Sequence, residues 1–169
     1  MRDVAFVAHN IRSTHNVGSL LRTADGLGMT HVYLTGYTPY PSHEHDQRLP
    51  HIANKLTRQI QKTSLGAEQR VAWSHHESFQ DAVRSLRAEG YTVTAVEQAP
   101  QATKLHEFSP PERVALVLGS EVEGLSQSAL QMCDAILEIP MFGTKESFNV
   151  AVAAGMAAYH CRFYRNMLQ

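Results

Sequence analysis

Cysteine is scarce in this 169-residue chain. Its two cysteines, Cys133 and Cys161, cannot build a disulfide framework, and neither lies in a Cys-x-x-Cys pair. A reducing compartment follows, and the expected location is the cytoplasm. Charged side chains make up 18 % of the residues, against roughly 25 % in ordinary soluble domains, so buried or partner-covered surface is expected. No apolar run approaches the ~18 residues of a membrane span. Near the N-terminus only residues 4–8 are apolar, too short for a signal-peptide core. Internal repeats, low-complexity tracts and linker-like stretches are missing. So is any Gly-x-Gly-x-x-Gly after the first apolar run, which argues against a dinucleotide enzyme. Collagen, coiled coil, zinc ribbon, membrane protein and disordered chain drop out, leaving one α/β domain with its own core.

Short β-branched runs alternate with helical patterns, the signature of βα units and a mostly parallel, Rossmann-like sheet flanked by helices. Strands are expected at residues 4–8, 31–34, 71–73, 92–96, 114–118 and 135–139. Helices are expected at 17–27, 52–62, 79–90, 126–132 and 148–163. In the first helix Val17, Leu20, Leu21, Ala24 and Leu27 share one arc, and Arg22 points away from it. In the second, Ile52, Leu56 and Ile60 lie roughly opposite Lys55, Arg58 and Lys62. Residues 36–51, with Gly36, Pro39, Pro41 and Pro50, read as a loop. The last helix is almost wholly apolar, so it reads as a buried core helix, with Ala151, Ala154, Gly155 and Ala158 permitting close approach.

The net charge of −1 argues against a protein that coats nucleic acid indiscriminately. Locally, Arg48, Lys55, Arg58, Lys62 and Arg70 face only one acid, Glu68, within residues 48–70. That patch is compatible with a chosen RNA, and the Lys55/Arg58/Lys62 stripe reads equally as an RNA contact or a solvated face. The dense His43-Glu44-His45-Asp46 run has no spaced partner set to complete a metal site. Cys133 and Cys161 fall on helical segments and read as packing residues. No metal is expected.

Three segments carry the chemistry, each where a strand or loop gives way to a helix. The first holds Arg12, Asn16, Gly18 and Arg22; the second Leu118, Gly119, Glu121 and Gly124; the third Ile139, Pro140, Met141, Gly143, Ser147 and Asn149. Open α/β sheets bind ligands outside the carboxyl ends of their strands, so the three are expected to surround one crevice. Singly, each has a local explanation: Asn16 as a helix cap, Gly18 as a tight turn, Ser147 as the cap of the last helix. Asn149, an amide among apolar residues, needs partners if buried.

Together, in order and spacing, they resemble the three motifs of the SPOUT-class RNA methyltransferases, in the SpoU/TrmH branch that methylates ribose 2′-hydroxyls. Asn16, Gly18 and Arg22 match the first motif; Gly119, Glu121 and Gly124 the second. Ile139, Pro140, Met141, Gly143, Ser147, Asn149 and Val150 match the third. Phe148 stands where the family usually has Leu, and Ala151 where it often has Ser. The resemblance covers essentially the whole chain and implies one SpoU-type domain over residues 1–169, with no appended RNA-binding domain. It also implies S-adenosylmethionine as methyl donor and a C-terminal trefoil knot, a feature that is very rare in proteins.

The resemblance further assigns roles. Leu118, Gly119, Ile139, Met141, Gly143, Ser147 and Asn149 would hold the cofactor. Arg22, Asn16, Glu121, Ser147 and Asn149 would form the catalytic set, with Glu121 orienting Arg22 or Asn16. Arg22 would contact the ribose hydroxyl. A guanidinium holds its proton throughout the physiological range, so stabilising a developing alkoxide suits it better than acting as base. Apart from the resemblance, Arg12 reads as a phosphate contact from its place in the loop before Asn16, and the charge of Lys55, Arg58 and Lys62 makes them the candidate contacts to RNA, either tRNA or rRNA. The C-terminal helix would pair two copies as a homodimer, the active site being completed across the interface. Two other readings are an RNA-binding or assembly protein of this fold without methyl transfer, and a SPOUT enzyme that modifies a base.

Overall fold

A computed structural model describes residues 1–165. Among them the chain forms a seven-stranded, wholly parallel sheet in the order β3-β2-β1-β6-β4-β7-β5. The strands are β1 (Asp3–His9), β2 (Val32–Thr35), β3 (Trp73–His76), β4 (Thr92–Val96), β5 (Thr103–Lys104), β6 (Arg113–Leu118) and β7 (Ala135–Glu138). The helices are α1 (Thr14–Gly26), α2 (Pro50–Ser64), α3 (Phe79–Ala88), α4 (Gln127–Gln131) and α5 (Val150–Phe163).

Strand alternation builds the two faces. Val4, Phe6 and Ala8 of β1 turn to one side, where α1 and α5 pack through Val17, Leu20, Leu21, Ala154, Ala157 and Ala158, and α2 adds Ile60. Ala5 and Val7 turn to the other, against Phe79, Ala82, Val83 and Leu86 of α3 and Ala129 of α4. β1 and β6, paired over six residues at the sheet centre, are buried on both faces, which is why they read as continuous apolar runs. Gly18 lets α1 press on α2: a Cβ there would collide with Thr63 Oγ1 and the Ile60 carbonyl.

Several boundaries differ from the sequence expectation. Helix α1 begins three residues earlier, because the Ser13 hydroxyl accepts the Asn16 N–H and caps it. Strand β3 lies at 73–76 rather than 71–73: it is a half-buried edge strand of Trp, Ser and His with no apolar signature. β5, only two exposed residues long, has no sequence signal at all. In α2, Ile52 is 42 % exposed, because the helix meets the core mainly through Ala53, Ile60 and Ser64. Helix α5 is not buried all round: Val152, Tyr159 and Phe163 stand exposed on its outer side. No helix among the described residues is long and apolar enough to cross a membrane.

Candidate active site

Three loops at the carboxyl end of the sheet meet around a cavity of about 500 Å³. The loop after β6 closes tightly on itself. Ser120 and Gly124 exchange backbone hydrogen bonds, and the Ser120 hydroxyl accepts the Val122 and Glu123 N–H groups. Gly119 is required there, since a Cβ would lie 2.5 Å from the Gly124 carbonyl carbon and 2.7 Å from the Leu125 nitrogen. This turn throws Glu121 towards the start of α1.

The Glu121 carboxylate accepts three donors: the Arg12 N–H at 3.0 Å, the Ser13 N–H at 3.1 Å and the Asn16 amide Nδ2 at 2.8 Å. Burial alone would raise its pKa, but these hydrogen bonds outweigh that and hold the carboxyl below its ordinary value. The Asn16 Oδ1 in turn accepts Asn149 Nδ2 at 3.2 Å, and Asn149 Oδ1 accepts the Ala151 N–H at 3.0 Å. The polarity of this chain is forced. An ionised carboxylate only accepts, so Asn16 must offer it NH₂; its carbonyl is left for Asn149, whose own carbonyl caps α5. Asn149, not Ser147, is the cap of α5; it is an exposed residue at the helix start rather than a buried amide within it.

Leu118, Gly119, Glu121, Ile139, Met141, Ser147 and Asn149 all line the cavity. Gly143 does not. It sits on an exposed stretch where a Cβ would meet nothing within 4 Å, so a larger side chain there has no pocket to fill. Nor does the structure bring Arg22 to Glu121. Asn16 lies inside α1 rather than before it, and six helical residues set Arg22 about 120° away and ~9 Å along the axis. Among the described residues Arg22 is exposed on the outer face of α1 with no hydrogen-bond or ion-pair partner.

Among the lining residues that the sequence reading did not name are Glu97 and Gln98. Glu97, at the end of β4, accepts the Leu125 N–H at 3.0 Å, and Gln98 donates to the Glu146 carbonyl at 2.6 Å. They tie β4 to both loops. Their position at the carboxyl end of a central strand was the available signal.

Lys55, Arg58 and Lys62 are exposed on α2 as the periodicity predicts. Arg48 and Arg70 are engaged within the fold. Arg48 pairs with Asp46, donates to the Tyr40 and Pro41 carbonyls and stacks 3.5 Å over the Tyr40 ring; Arg70 pairs with Asp25. No group of three metal-ligating side chains converges among the described residues. Burial pushes the Cys133 thiol up to about 11 and Cys161 up to about 12, so both are unreactive packing groups.

A family model described as "SpoU rRNA Methylase family" matches residues 3–159. A "Putative TrmH family tRNA/rRNA methyltransferase" of Staphylococcus haemolyticus is 31 % identical over 153 residues, 90 % of this chain and 55 % of that protein. A "tRNA (guanosine(18)-2'-O)-methyltransferase" of Thermus thermophilus is 27 % identical over 166 residues, 96 % of this chain and 76 % of that protein. Among solved structures, one described as "Structural insights into the 2-OH methylation of C/U34 on tRNA" superposes with a TM-score of 0.74 at 27 % identity, covering 95 % of this chain and 94 % of its own. The chain spans 55–59 % of the length of the two staphylococcal relatives it matches.

Proposed function

The chain belongs to the SpoU rRNA methylase family, and from that footing we propose that it moves a methyl group from S-adenosylmethionine to a ribose 2′-hydroxyl of structured RNA. One observation carries the reading: the Glu121–Asn16–Asn149 hydrogen-bond chain, whose two ends, Glu121 and Asn149, line the cavity. The names of the relatives support tRNA or rRNA as substrate. The relative matched along 94 % of its length concerns tRNA, which favours tRNA.

The cavity fits the donor. Its volume falls in the range of small-molecule sites, and it pairs apolar walls (Leu118, Ile139, Met141, Val150) with hydroxyl- and amine-binding groups (Glu97, Ser120, Ser147). When bound, S-adenosylmethionine supplies a methyl group made electrophilic by its sulfonium. The remaining demands fall on the chain. Asn149, which lines the cavity, and Asn16 behind it, locked in orientation by Glu121, hold polar groups where a ribose hydroxyl must be positioned. Ser147 adds a hydroxyl beside them. As the new O–CH3 bond forms, the bond from that carbon to sulfur breaks to leave a neutral thioether and the hydroxyl proton passes to water or a phosphate, while Arg22 stabilises the negative charge developing on the attacking oxygen.

Because Arg22 faces away from its own Asn16, this reading has it serve a second copy. The apolar side of α5 supports such a homodimer. Val152, Tyr159 and Phe163 are 51 %, 63 % and 44 % exposed. With Leu105 and Met156 they border or line an apolar groove of about 570 Å³. Family membership also supports a single methyltransferase domain and the trefoil knot, with the C-terminal segment threading a loop. The location proposed is the cytoplasm.

The test is direct. The purified protein should bind S-adenosylmethionine in a calorimetric titration without metal or RNA. With total tRNA it should yield a 2′-O-methylated nucleotide, whose adjoining phosphodiester resists alkali. A folded protein that binds RNA but neither donor nor methyl group would be an assembly protein; a methyl group on the base would mark a base-modifying enzyme. Either result overturns the proposal.

A further inference from the structure

Beside the site lies an aromatic residue that the motifs do not explain. Tyr37 follows β2 and is 53 % exposed, although both of its successors, Thr38 and Pro39, are buried. Its backbone is pinned from two directions. The Tyr37 N–H donates to Asn10 Oδ1 at 3.2 Å, and Asn10 itself is held at φ 57° in the left-handed region. That conformation costs a non-glycine residue free energy. On the other side the Thr38 hydroxyl shares its one hydrogen between the Ala8 and Thr35 carbonyls and accepts the Ile11 N–H. A ring is thus displayed to solvent on a fixed backbone.

The neighbour of that ring is Arg12, whose guanidinium carbon lies 6.0 Å from the Tyr37 centroid and which is exposed. The Arg12 N–H is one of the three donors to Glu121. Hence one residue joins the ring to the hydrogen-bond chain at the cavity mouth. An exposed aromatic face beside an exposed guanidinium is the pairing that receives an unstacked nucleobase and its phosphate.

We infer that Tyr37 and Arg12 form a stacking subsite for an unpaired nucleobase next to the ribose that reacts, Tyr37 taking the base face and Arg12 the adjoining phosphate. The subsite rests on the methyl-transfer reading for its place beside a reacting ribose. It demands a target nucleotide in a loop or bulge, because a base within a duplex has no free face to offer. Tyr37 becomes a specificity residue that the family motifs do not contain.

A single-stranded oligoribonucleotide carrying 2-aminopurine, alone and annealed to its complement, tests this. The wild-type protein should bind the single strand more tightly than the duplex and quench its fluorescence, since stacking quenches 2-aminopurine. Tyr37→Ala should weaken single-strand binding about tenfold, the scale of one lost base–aromatic stack, and abolish the quenching. Tyr37→Phe should retain both, because the ring remains. Arg12→Gln should lower the salt dependence by about one phosphate contact. Undiminished binding and quenching by Tyr37→Ala, loss of both in Tyr37→Phe, or equal affinity for duplex would overturn the subsite. Calorimetry with S-adenosylmethionine and methylation of total tRNA by the same variants separate the two readings. Methylation by Tyr37→Ala at the wild-type KM removes the subsite and leaves the enzyme. Ring-dependent quenching without methyl transfer removes the enzyme and leaves the subsite.

Discussion

The amide nitrogen of Asn149 lies 3.2 Å from the carbonyl oxygen of Asn16, a contact between residues 133 apart in the chain. The first and third motifs therefore meet through side chains, and the second motif fixes their orientation from the far end through Glu121. This order of donors and acceptors permits sharp predictions about each member.

Glu121→Gln replaces an acceptor-only group by one with a single carbonyl oxygen and an NH₂ that opposes the Asn16 amide. The variant should fold but transfer methyl groups about 10- to 100-fold more slowly, in line with losing a preorganised contact. The pH dependence gives a second readout. The Glu121 carboxyl is lowered in the fold from its ordinary value of 4.5, so the unfolded chain binds the extra proton in the window between the two values. Its stabilisation is fully present above the ordinary value and lost as pH falls through the lower one. Urea midpoints measured from about pH 5 downwards should drop more steeply for wild type than for Glu121→Gln; parallel curves would show that the carboxylate is not held as described.

Glycine positions in the second and third motifs should behave oppositely. Gly119→Ala forces a methyl group against the Gly124 backbone and should distort the turn that presents Glu121, cutting affinity for S-adenosylmethionine at least tenfold. Gly143→Ala meets open space and should bind the donor as the wild type does. Calorimetry on both variants decides it, and equal losses would show that Gly143 reaches the cavity after all.

Arg22→Ala should leave folding and donor binding nearly intact, because the apolar face of α1 is untouched, yet slow methyl transfer by ~100-fold or more. Arg22→Lys should rescue poorly, an ammonium lacking the planar fork of donors. Co-expression with Asn149→Ala discriminates further. If Arg22 serves a second copy, mixed dimers regain one intact site, whereas two homodimeric variants do not. Absence of any recovery in purified mixed dimers would place Arg22 in its own chain's site.

Lys55, Arg58 and Lys62 changed together to Gln should weaken RNA binding and reduce the salt slope by up to about 2–3, as three fewer counterions are released. Arg48→Gln should instead loosen the loop it straps, lowering thermal stability with little change in salt slope. An unaltered slope for the triple variant would mark the stripe as an ordinary solvated face.

What was legible in the sequence was whatever rests on local pattern. β1, β6 and the apolar arc of α1 follow from periodicity, and residues lining the cavity follow from motif order. Features set by distant partners were not legible. The ion pair of Arg70 with Asp25 crosses 45 residues and removes a charge that the local count had left free. Asn149 resembled a buried amide because its neighbours are apolar, while in the fold it ends a loop and caps a helix. The half-exposed α5 resembled a core helix because its residues are apolar on both sides, so periodicity cannot distinguish the face turned to the sheet from the exposed one. Glu121 was expected to orient Arg22 or Asn16; only the observed start of α1, set by the Ser13 cap, shows that it is Asn16 that meets the carboxylate and Arg22 that does not.

The span between Asn16 and Asn149 also sets a clock on the ribosome. At 5–20 residues per second, on the order of ten seconds separates the synthesis of the two amides. Throughout that interval the nascent chain can assemble β1, α1 and α2, and later β6, while α5 and its cap do not yet exist. The hydrogen-bond chain from Glu121 through Asn16 to Asn149 is therefore completed only after residue 149 has been made, however much of the sheet has already formed.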